Sequence, residues 1–251
     1  QSLESDIAWL KSRDETTAAQ IAERLQTRRR SWQPVFSLEA PFENVQEVFP
    51  QSAVALSENK LLNRVGDSDD NFTVLTRVAT LGNVRVKARF APEFKTAREV
   101  GLLLHAGSKS GYLFRLRAPV VGGRSTRSVP AGREQFWHHM EVNGNVDVEI
   151  LRDGLLLRHA TMRANDMLDE GTGELTLEAT CEGERLSFQV GMKPALVFDD
   201  IFPYVGGANQ RFGILLPPKV GIASLKAMRQ PLPVQPSPLE EGDQLFAQQQ
   251  W

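Results

Sequence analysis

The sequence contains one cysteine, Cys181, so it cannot form an internal disulfide or supply a multi-cysteine zinc site. No apolar run approaches the roughly 20 residues of a membrane-spanning helix. The first residues, QSLESDIAWLKSRDE, lack the basic and apolar regions of a secretory signal. A G-x-S-x-G nucleophile motif is absent, and the glycine pairs at 122–123 and 206–207 precede no predicted helix that could bind phosphate. We therefore expect no cofactor and no membrane span in this chain.

The remaining composition is typical of a globular protein with a core. Of the 251 residues, 41% are hydrophobic and 24% are charged. Between about residues 35 and 228, hydrophobic residues recur at every second position, which is the period of a half-buried β-strand. Clear examples are VRVKARF (84–90), YLFRL (112–116), ELTLEATC (174–181), RLSFQV (185–190) and RFGIL (211–215). Short strands of this kind, separated by glycine and proline turns, predict an all-β sandwich of two antiparallel sheets.

The two ends of the chain differ from this middle part. Residues 1–31 predict a helical linker, because Ser5 can cap a helix that ends in the basic run Arg28–Arg30. Residues 230–251 begin with closely spaced prolines, which predict an extended linker before a following helical region. The sandwich would then cover residues 32–229. Since no initiator methionine is present, we expect the chain to be either a processed protein or, as the favoured alternative, part of a longer polypeptide.

The stretch FWHHMEVNGNVDVEILRDG combines two histidines with several acids, as a metal or acid/base site would. Adjacent residues of a strand point to opposite faces, so His138 and His139 cannot chelate one ion together. Asp147 and Glu149 share a face, and glycosidases need two carboxylates across the scissile bond. However, an arginine stands where a third acid is common in jelly-roll glycosidases. The Asn-Gly and Asp-Gly turns favour two successive hairpins instead.

The stretch GDSDDN places Asp67, Asp69 and Asn71 at alternate positions, as in a calcium-binding loop. Phe72 and Val78 then occupy the positions at which an EF-hand requires glycine and glutamate. An acidic turn before the next strand is the competing interpretation. These three residues are therefore a secondary candidate for a cation site.

Positive charge is concentrated in residues 85–133, which hold eleven basic and two acidic residues, a net +9 against −11 for the remainder. Arg85, Lys87 and Arg89 share one face of a predicted strand, and Arg115 and Arg117 share one face of another. If those strands are neighbours, five cations lie on one sheet face. Arginine binds carboxylate, sulfate or phosphate through paired donors, so an acidic saccharide or acidic peptide would suit this surface. Alternatively, basic and acidic strands are neighbours and their charges partly cancel.

The order of these pieces resembles the concanavalin A-like jelly roll of the lectin/glucanase superfamily, and in particular bacterial domains related to the 3-keto-disaccharide hydrolases. The likeness spans residues 84–228 and is carried by VRVKARF, GLLLHAGSKSGYLFRL, FWHHMEVNGNVDVEILRDG, GELTLEATCEGERLSFQVG and RFGILLPPKVGIASLKAM. The resemblance implies ligands on the concave sheet or rim loops. It also implies a bacterial protein with further domains, either cytoplasmic or exposed at the periplasm or cell surface. The ending LEEGDQLFAQQQW resembles the start of a tetratricopeptide repeat.

Together these features predict a non-catalytic module that binds a carbohydrate or a protein partner. The alternative is a glycoside hydrolase or related sugar-acting enzyme of the same fold, and a third possibility is a structural spacer without a ligand. Nucleic acid is not expected, because the basic strands lack the interleaved aromatics on which bases stack. The candidate ligand-binding residues are Arg85, Lys87, Arg89, Arg115, Arg117, Tyr112, Trp137 and His139.

Overall fold

The computed structural model describes residues 31–64, 72–79, 81–92, 99–107, 110–117, 145–169, 171–204, 210–218 and 220–230. Within these ranges there are fourteen strands, one α-helical turn, α1 (Val45–Val48), and one 3-10 turn (Ala164–Asp166). The strands are β1 (Gln33–Glu39), β2 (Val54–Ser57), β3 (Lys60–Asn63), β4 (Thr73–Ala79), β5 (Asn83–Phe90), β6 (Glu99–Ala106), β7 (Tyr112–Arg117), β8 (Asn145–Arg152), β9 (Leu155–Arg163), β10 (Leu175–Glu182), β11 (Arg185–Val190), β12 (Lys193–Asp199), β13 (Arg211–Leu215) and β14 (Gly221–Gln230).

The strands form two antiparallel sheets. The eight-stranded sheet has the order β12-β11-β10-β5-β14-β3-β2, and β1 also pairs with β14. The six-stranded sheet has the order β4-β13-β6-β7-β8-β9. Strand β14 meets β3 through Gly221 and Ile222, and it meets β1 through residues 224–229. The prediction of an all-β, two-sheet antiparallel jelly-roll sandwich is confirmed.

The core lies between the two sheets, because alternate residues of each strand point inward. On β5 the inward residues Val84, Val86, Ala88 and Phe90 are all buried. From opposite sheets, the rings of Phe114 and Phe188 meet edge to face with centroids 5.6 Å apart. Burying this many apolar side chains supplies the main driving force for the fold. The outward residues of each strand are left to form the two surfaces discussed below.

The hairpin between β8 and β9 turns as its sequence predicts. Asp153 and Gly154 both have positive φ, at 52° and 81°, which the two-residue hairpin turn requires. This confirms the second of the two predicted turns in the FWHHMEVNGNVDVEILRDG stretch. The first turn, at residues 143–145, falls largely outside the described residues.

Residues 32–229 form one compact unit. The predicted N-terminal helix and the predicted linker and repeat-like ending lie almost entirely outside the described residues, so these segment assignments stay predictions. In the part of the chain that the structure describes, no helix is both long enough and apolar enough to cross a membrane.

Candidate functional site

The five predicted cations do not form one row. Arg85, Lys87 and Arg89 lie on β5 in the eight-stranded sheet, whereas Arg115 and Arg117 lie on β7 in the six-stranded sheet. The condition under which they would share one face, that the two strands are neighbours, is not met, because the chain crosses from one sheet to the other between β5 and β6. The cations therefore belong to two separate surfaces.

The six-strand face is the name used here for the outward side chains of β6 to β9. Strand register aligns them in three rows: Glu99–Arg117–Asp147–Thr161, Gly101–Arg115–Glu149–His159 and Leu103–Leu113–Leu151–Leu156. Two rows are polar and one is apolar. Side chains directly opposite on antiparallel strands are close enough to interact, so the register alone brings these charges together.

Glu149 is the centre of this face. Arg115 donates to its Oε2 from Nε at 2.8 Å and from Nη2 at 2.5 Å. Arg117 Nη2 lies 3.2 Å from its Oε1, so both carboxylate oxygens are engaged. The side chain of Glu149 is only 5% exposed, and a carboxylate this deeply placed needs such charged partners to offset its lost hydration.

Two further contacts extend the network. Arg115 Nη1 donates to Glu99 Oε2 at 3.0 Å, so one guanidinium group joins acids from the strands on either side. At the edge of the sheet, His159 Nε2 lies 3.0 Å from Asp147 Oδ1. Charge-assisted hydrogen bonds of this kind hold side chains in one orientation. The result is a fixed array of charged donors and acceptors on one side of the sheet.

Tyr112, predicted to stack on a sugar, points into the interior and is fully buried. Its hydroxyl donates to Asp200 Oδ2 at 2.5 Å and accepts from the backbone N–H of Tyr204 at 3.3 Å. Burial, and then the hydrogen bond with Asp200, holds the pKa of Tyr112 well above its usual range. The prediction that Tyr112 contacts a ligand is wrong, because its ring has no exposed face.

The polar latch is the name used here for the cluster around this hydroxyl: Tyr112, Arg152, Asp153, Asp200 and Tyr204. Arg152 Nη1 donates to both oxygens of Asp200, at 3.0 and 2.7 Å, and its guanidinium carbon lies 4.5 Å from the centre of the Tyr204 ring. Tyr204 donates its hydroxyl to Asp153, which lowers the pKa of that carboxyl. The latch ties the segment after β12 to the β8–β9 hairpin. Sequence reasoning missed it, although the chain has only two tyrosines and both are in it.

The eight-strand face is the name used here for the outward side chains of β1, β5, β10, β11 and β14. Glu178, on the neighbouring strand β10, lies 3.6 Å from Arg85 Nε and 3.8 Å from Lys87 Nζ. Arg89 lies 3.5 Å from Glu174 and donates from Nε to Ser224 Oγ at 3.0 Å. The guanidinium of Arg85 also lies 4.3 Å from the centre of the Trp32 ring. Basic and acidic strands are thus neighbours here, and their charges partly cancel.

Five predicted site residues fall outside the described residues. They are Trp137 and His139 of the hairpin stretch, and Asp67, Asp69 and Asn71 of the candidate cation loop. Among the residues that are described, no three His, Cys, Asp or Glu side chains are grouped as metal ligands. Cys181 is buried, and burial raises the pKa of its thiol to about 12, which does not suit a nucleophile.

A surface depression of about 700 Å³ lies beside α1. Its lining includes the aromatic residues Phe42 and Phe49 and the polar residues Gln51 and Arg64. Arg64 Nη1 donates to the backbone oxygen of Gln51 at 3.0 Å. None of its lining residues belongs to either of the two faces, so it is a separate feature.

Solved structures of sandwich proteins are similar to this chain, while no protein-family model and no curated protein matches it. A carbohydrate-binding module, CBM66, from Bacillus subtilis is 11% identical, covering 79% of this chain and 91% of that one, with a TM-score of 0.38. The exoplasmic/lumenal domain of VIP36, in a form bound to Ca²⁺ and Man3GlcNAc, is 13% identical, covering 84% and 94%, with a TM-score of 0.47. The β-glucanase of Bacillus licheniformis is 8% identical, covering 78% and 91%, with a TM-score of 0.42.

Identities this low concern the fold and not the activity. The chain is a two-sheet antiparallel β-sandwich, as its strand order shows, and its resemblance to the concanavalin A-like lectin/glucanase class stays a prediction. The narrower resemblances, to the 3-keto-disaccharide hydrolases and to a tetratricopeptide repeat, stay predictions. Any function has to be argued from the side chains of this chain.

Proposed function

We propose that this protein is a non-catalytic carbohydrate-binding module that holds a neutral saccharide on the six-strand face. The observation that carries the proposal is the arrangement around Glu149, where one buried carboxylate fixes two arginines at hydrogen-bonding distance. Binding groups that are already held in place lose little side-chain entropy when a ligand arrives. The six-strand face therefore offers hydrogen bonds at a low entropic cost.

The composition of the face favours a sugar. Sugar hydroxyls both donate and accept hydrogen bonds, and the face presents both arginine donors and carboxylate acceptors. The adjoining row contains Leu103 and Leu113, which are half-buried and offer apolar surface to the C–H side of a sugar ring. Two arginines face three acids there, namely Glu99, Asp147 and Glu149, so the face has no cationic surplus for an anionic ligand.

A binding role fits the carboxylates better than catalysis does. Glu149 accepts hydrogen bonds from Arg115 and forms an ion pair with Arg117, Glu99 accepts from Arg115, and Asp147 pairs with His159. A glycosidase requires one carboxyl group to protonate the leaving oxygen and a second to attack or to activate water. Here each of the three acids is already occupied by a cationic partner or a histidine.

We also propose that the module is one part of a larger multi-domain bacterial protein.

The test is a glycan array of neutral oligosaccharides, followed by calorimetric titration of the strongest ligand. Arg117→Gln should weaken binding about tenfold or more, since arginine contacts at the centre of a site commonly contribute over 1 kcal/mol. Lys87→Gln, which removes one cation from the opposite sheet, is the matched control and should leave the affinity within about twofold. If no neutral glycan binds, or if both variants bind alike, the proposal is wrong.

The second candidate function is a sugar-acting hydrolase, and the observation in its favour is the presence of three carboxylates on one face. It predicts release of reducing sugar from a bound glycan. Glu99→Gln, which the fold should tolerate because Glu99 is more exposed than Glu149, would sharply reduce that release. A wild-type protein that binds a glycan for hours without cleaving it excludes this candidate.

A further inference from the structure

We propose that the eight-strand face is a second binding site, for a polysaccharide that carries sulfate or carboxylate groups. The site consists of Arg85, Lys87 and Arg89 with the polar residues beside them. It is independent of the function proposed above, because it lies on the other sheet and would take a ligand of different charge. The evidence for this second site is the distance between its cations and the neighbouring carboxylates, together with the exposure of the cations.

The cations of the two faces are held differently. On the six-strand face, arginine nitrogens lie 2.5 to 3.2 Å from carboxylate oxygens. For Arg85, Lys87 and Arg89 of the eight-strand face, the corresponding distances are 3.5 to 3.8 Å, which is too long for a good hydrogen bond. Glu178 is also shared between two cations. These cations therefore keep much of their capacity to bind another anion.

Their accessibility agrees with this. The side chains of Lys87 and Arg89 are 50% and 46% exposed, against 18% for Arg115 and 33% for Arg117 on the six-strand face. Arg85, at 34%, is as exposed as Arg117, so Lys87 and Arg89 are the most accessible cations of the site.

The spacing suits an extended, repeating ligand. Alternate residues of one strand lie about 7 Å apart, so the three cations span about 13 Å in a straight row. Neutral hydrogen-bonding side chains lie on the same face, namely Thr176 on the adjacent strand β10 and Ser187 and Gln189 on β11, the next strand along. Such groups can bind sugar hydroxyls between the anionic positions.

Other anionic polymers fit less well. An acidic peptide would add a strand at a free sheet edge or place side chains in apolar pockets, but β5 is internal and has β10 and β14 on its two sides. A nucleic acid would stack its bases on aromatic rings. In the described part of this face Trp32 is the one large aromatic ring, and Arg85 already lies over it.

The net charge of the eight-strand face determines how strongly an anionic polysaccharide should bind to it. Arg85, Lys87, Arg89 and Lys226 oppose Glu39, Glu174 and Glu178, which leaves one positive charge in surplus. Lys226 is held by Glu39 at 2.6 Å and so contributes less. Binding should therefore be modest and sensitive to salt, because ions screen exposed charges over about 10 Å at 0.1 M.

The experiment compares dextran sulfate with unmodified dextran of the same length, in calorimetric titrations against the full chain. Dextran sulfate should bind at about 20 mM salt and weaken at least tenfold at about 500 mM salt, where screening is strong. The double variant Lys87→Gln/Arg89→Gln should lose about tenfold or more in affinity at low salt. Equal binding of dextran and dextran sulfate would overturn the proposal.

A charge-matched control separates this site from a general effect of net charge. Lys193→Gln/Arg158→Gln removes two exposed cations from β12 and β9 and should change dextran sulfate affinity by less than about threefold. An equal loss of dextran sulfate affinity in both double variants would contradict a binding site at Lys87 and Arg89. Poly-glutamate and single-stranded DNA are titrated in the same way. If either binds more tightly than dextran sulfate, the assignment of the site to a polysaccharide is overturned.

The two proposals can fail separately. Arg117→Gln should leave dextran sulfate binding unchanged, and the Lys87/Arg89 double variant should leave neutral-glycan binding unchanged. If dextran sulfate binding depends on Arg117 and not on Lys87 and Arg89, the second site is wrong while a ligand on the six-strand face remains supported.

Discussion

Arg115 and Glu149 lie directly opposite each other on β7 and β8, and two nitrogens of the arginine donate to a single oxygen of the glutamate. The second carboxylate oxygen faces Arg117. One buried carboxylate thus pairs with two guanidinium groups. Because both arginines depend on it, the six-strand face should respond to a change at Glu149 as a unit.

Glu149→Gln should destabilise the fold strongly. An amide keeps the shape but removes the charge, which leaves two partly buried cations with fewer partners, at a cost of about 3 kcal/mol. Urea unfolding followed by fluorescence measures the difference. Glu99→Gln is the control: Glu99 is more exposed, so the cost should be about 1 kcal/mol or less. Equal costs would contradict a central role for Glu149.

Tyr112→Phe should weaken the polar latch. The substitution removes one hydroxyl, so Asp200 loses a donor and the Tyr204 N–H loses an acceptor, both in a buried setting. We expect a loss of about 2 kcal/mol in the free energy of unfolding. Tyr204→Phe removes a hydroxyl whose partner, Asp153, is exposed, and should cost less. A larger loss in the free energy of unfolding for Tyr204→Phe than for Tyr112→Phe would show that the polar latch is not centred on Tyr112.

Stability should fall in alkali because of Cys181. Burial raises the pKa of its thiol from 9.0 to about 12, so the folded state favours the protonated form. This contribution is fully present below pH 9 and is lost as the pH rises toward 12. Unfolding free energies measured at several pH values should therefore decline more steeply for the wild type than for Cys181→Ala. Parallel declines would assign the alkaline loss to other groups, of which Tyr112 is one.

Gly101→Ala should push strand β6 away from β7 and so lower the stability of the fold. A Cβ atom at this position would lie 2.5 Å from the carbonyl oxygen of Phe114, which is closer than real Cβ contacts allow. Overpacking of this kind costs about 1 to 3 kcal/mol. At Gly171 the nearest atom would be 3.4 Å away, at the tip of Asp169, so Gly171→Ala should be nearly neutral. Thermal unfolding of the two variants provides the comparison.

The sequence period predicts which way a side chain points but not which strand lies beside it. The alternation in β5 correctly placed Arg85, Lys87 and Arg89 outward, as the alternation in β7 did for Arg115 and Arg117. Tyr112 shares the buried parity of Phe114 and Leu116, so its position in the core was available from the same pattern. The alternation does not show which strands pair with each other. Strand β5 pairs with β10 and β14, which follow it by more than 80 residues. Contacts over such separations depend on the whole fold, and this is why the two basic rows could not be assigned to different sheets in advance.

Strand β14 has a consequence for synthesis on the ribosome. It joins β1, β3 and β5, which are made early, yet it is the last of the described strands. Until residues 221–230 have left the exit tunnel, the three early segments have no common partner and the eight-stranded sheet has no centre. The six-stranded sheet can pair β6 to β9 long before that point. In the six-stranded sheet, β4 likewise has to wait for β13. A ribosome stalled before β14 would therefore leave β1 without its partner strand and the eight-stranded sheet in two parts, both open to chaperones.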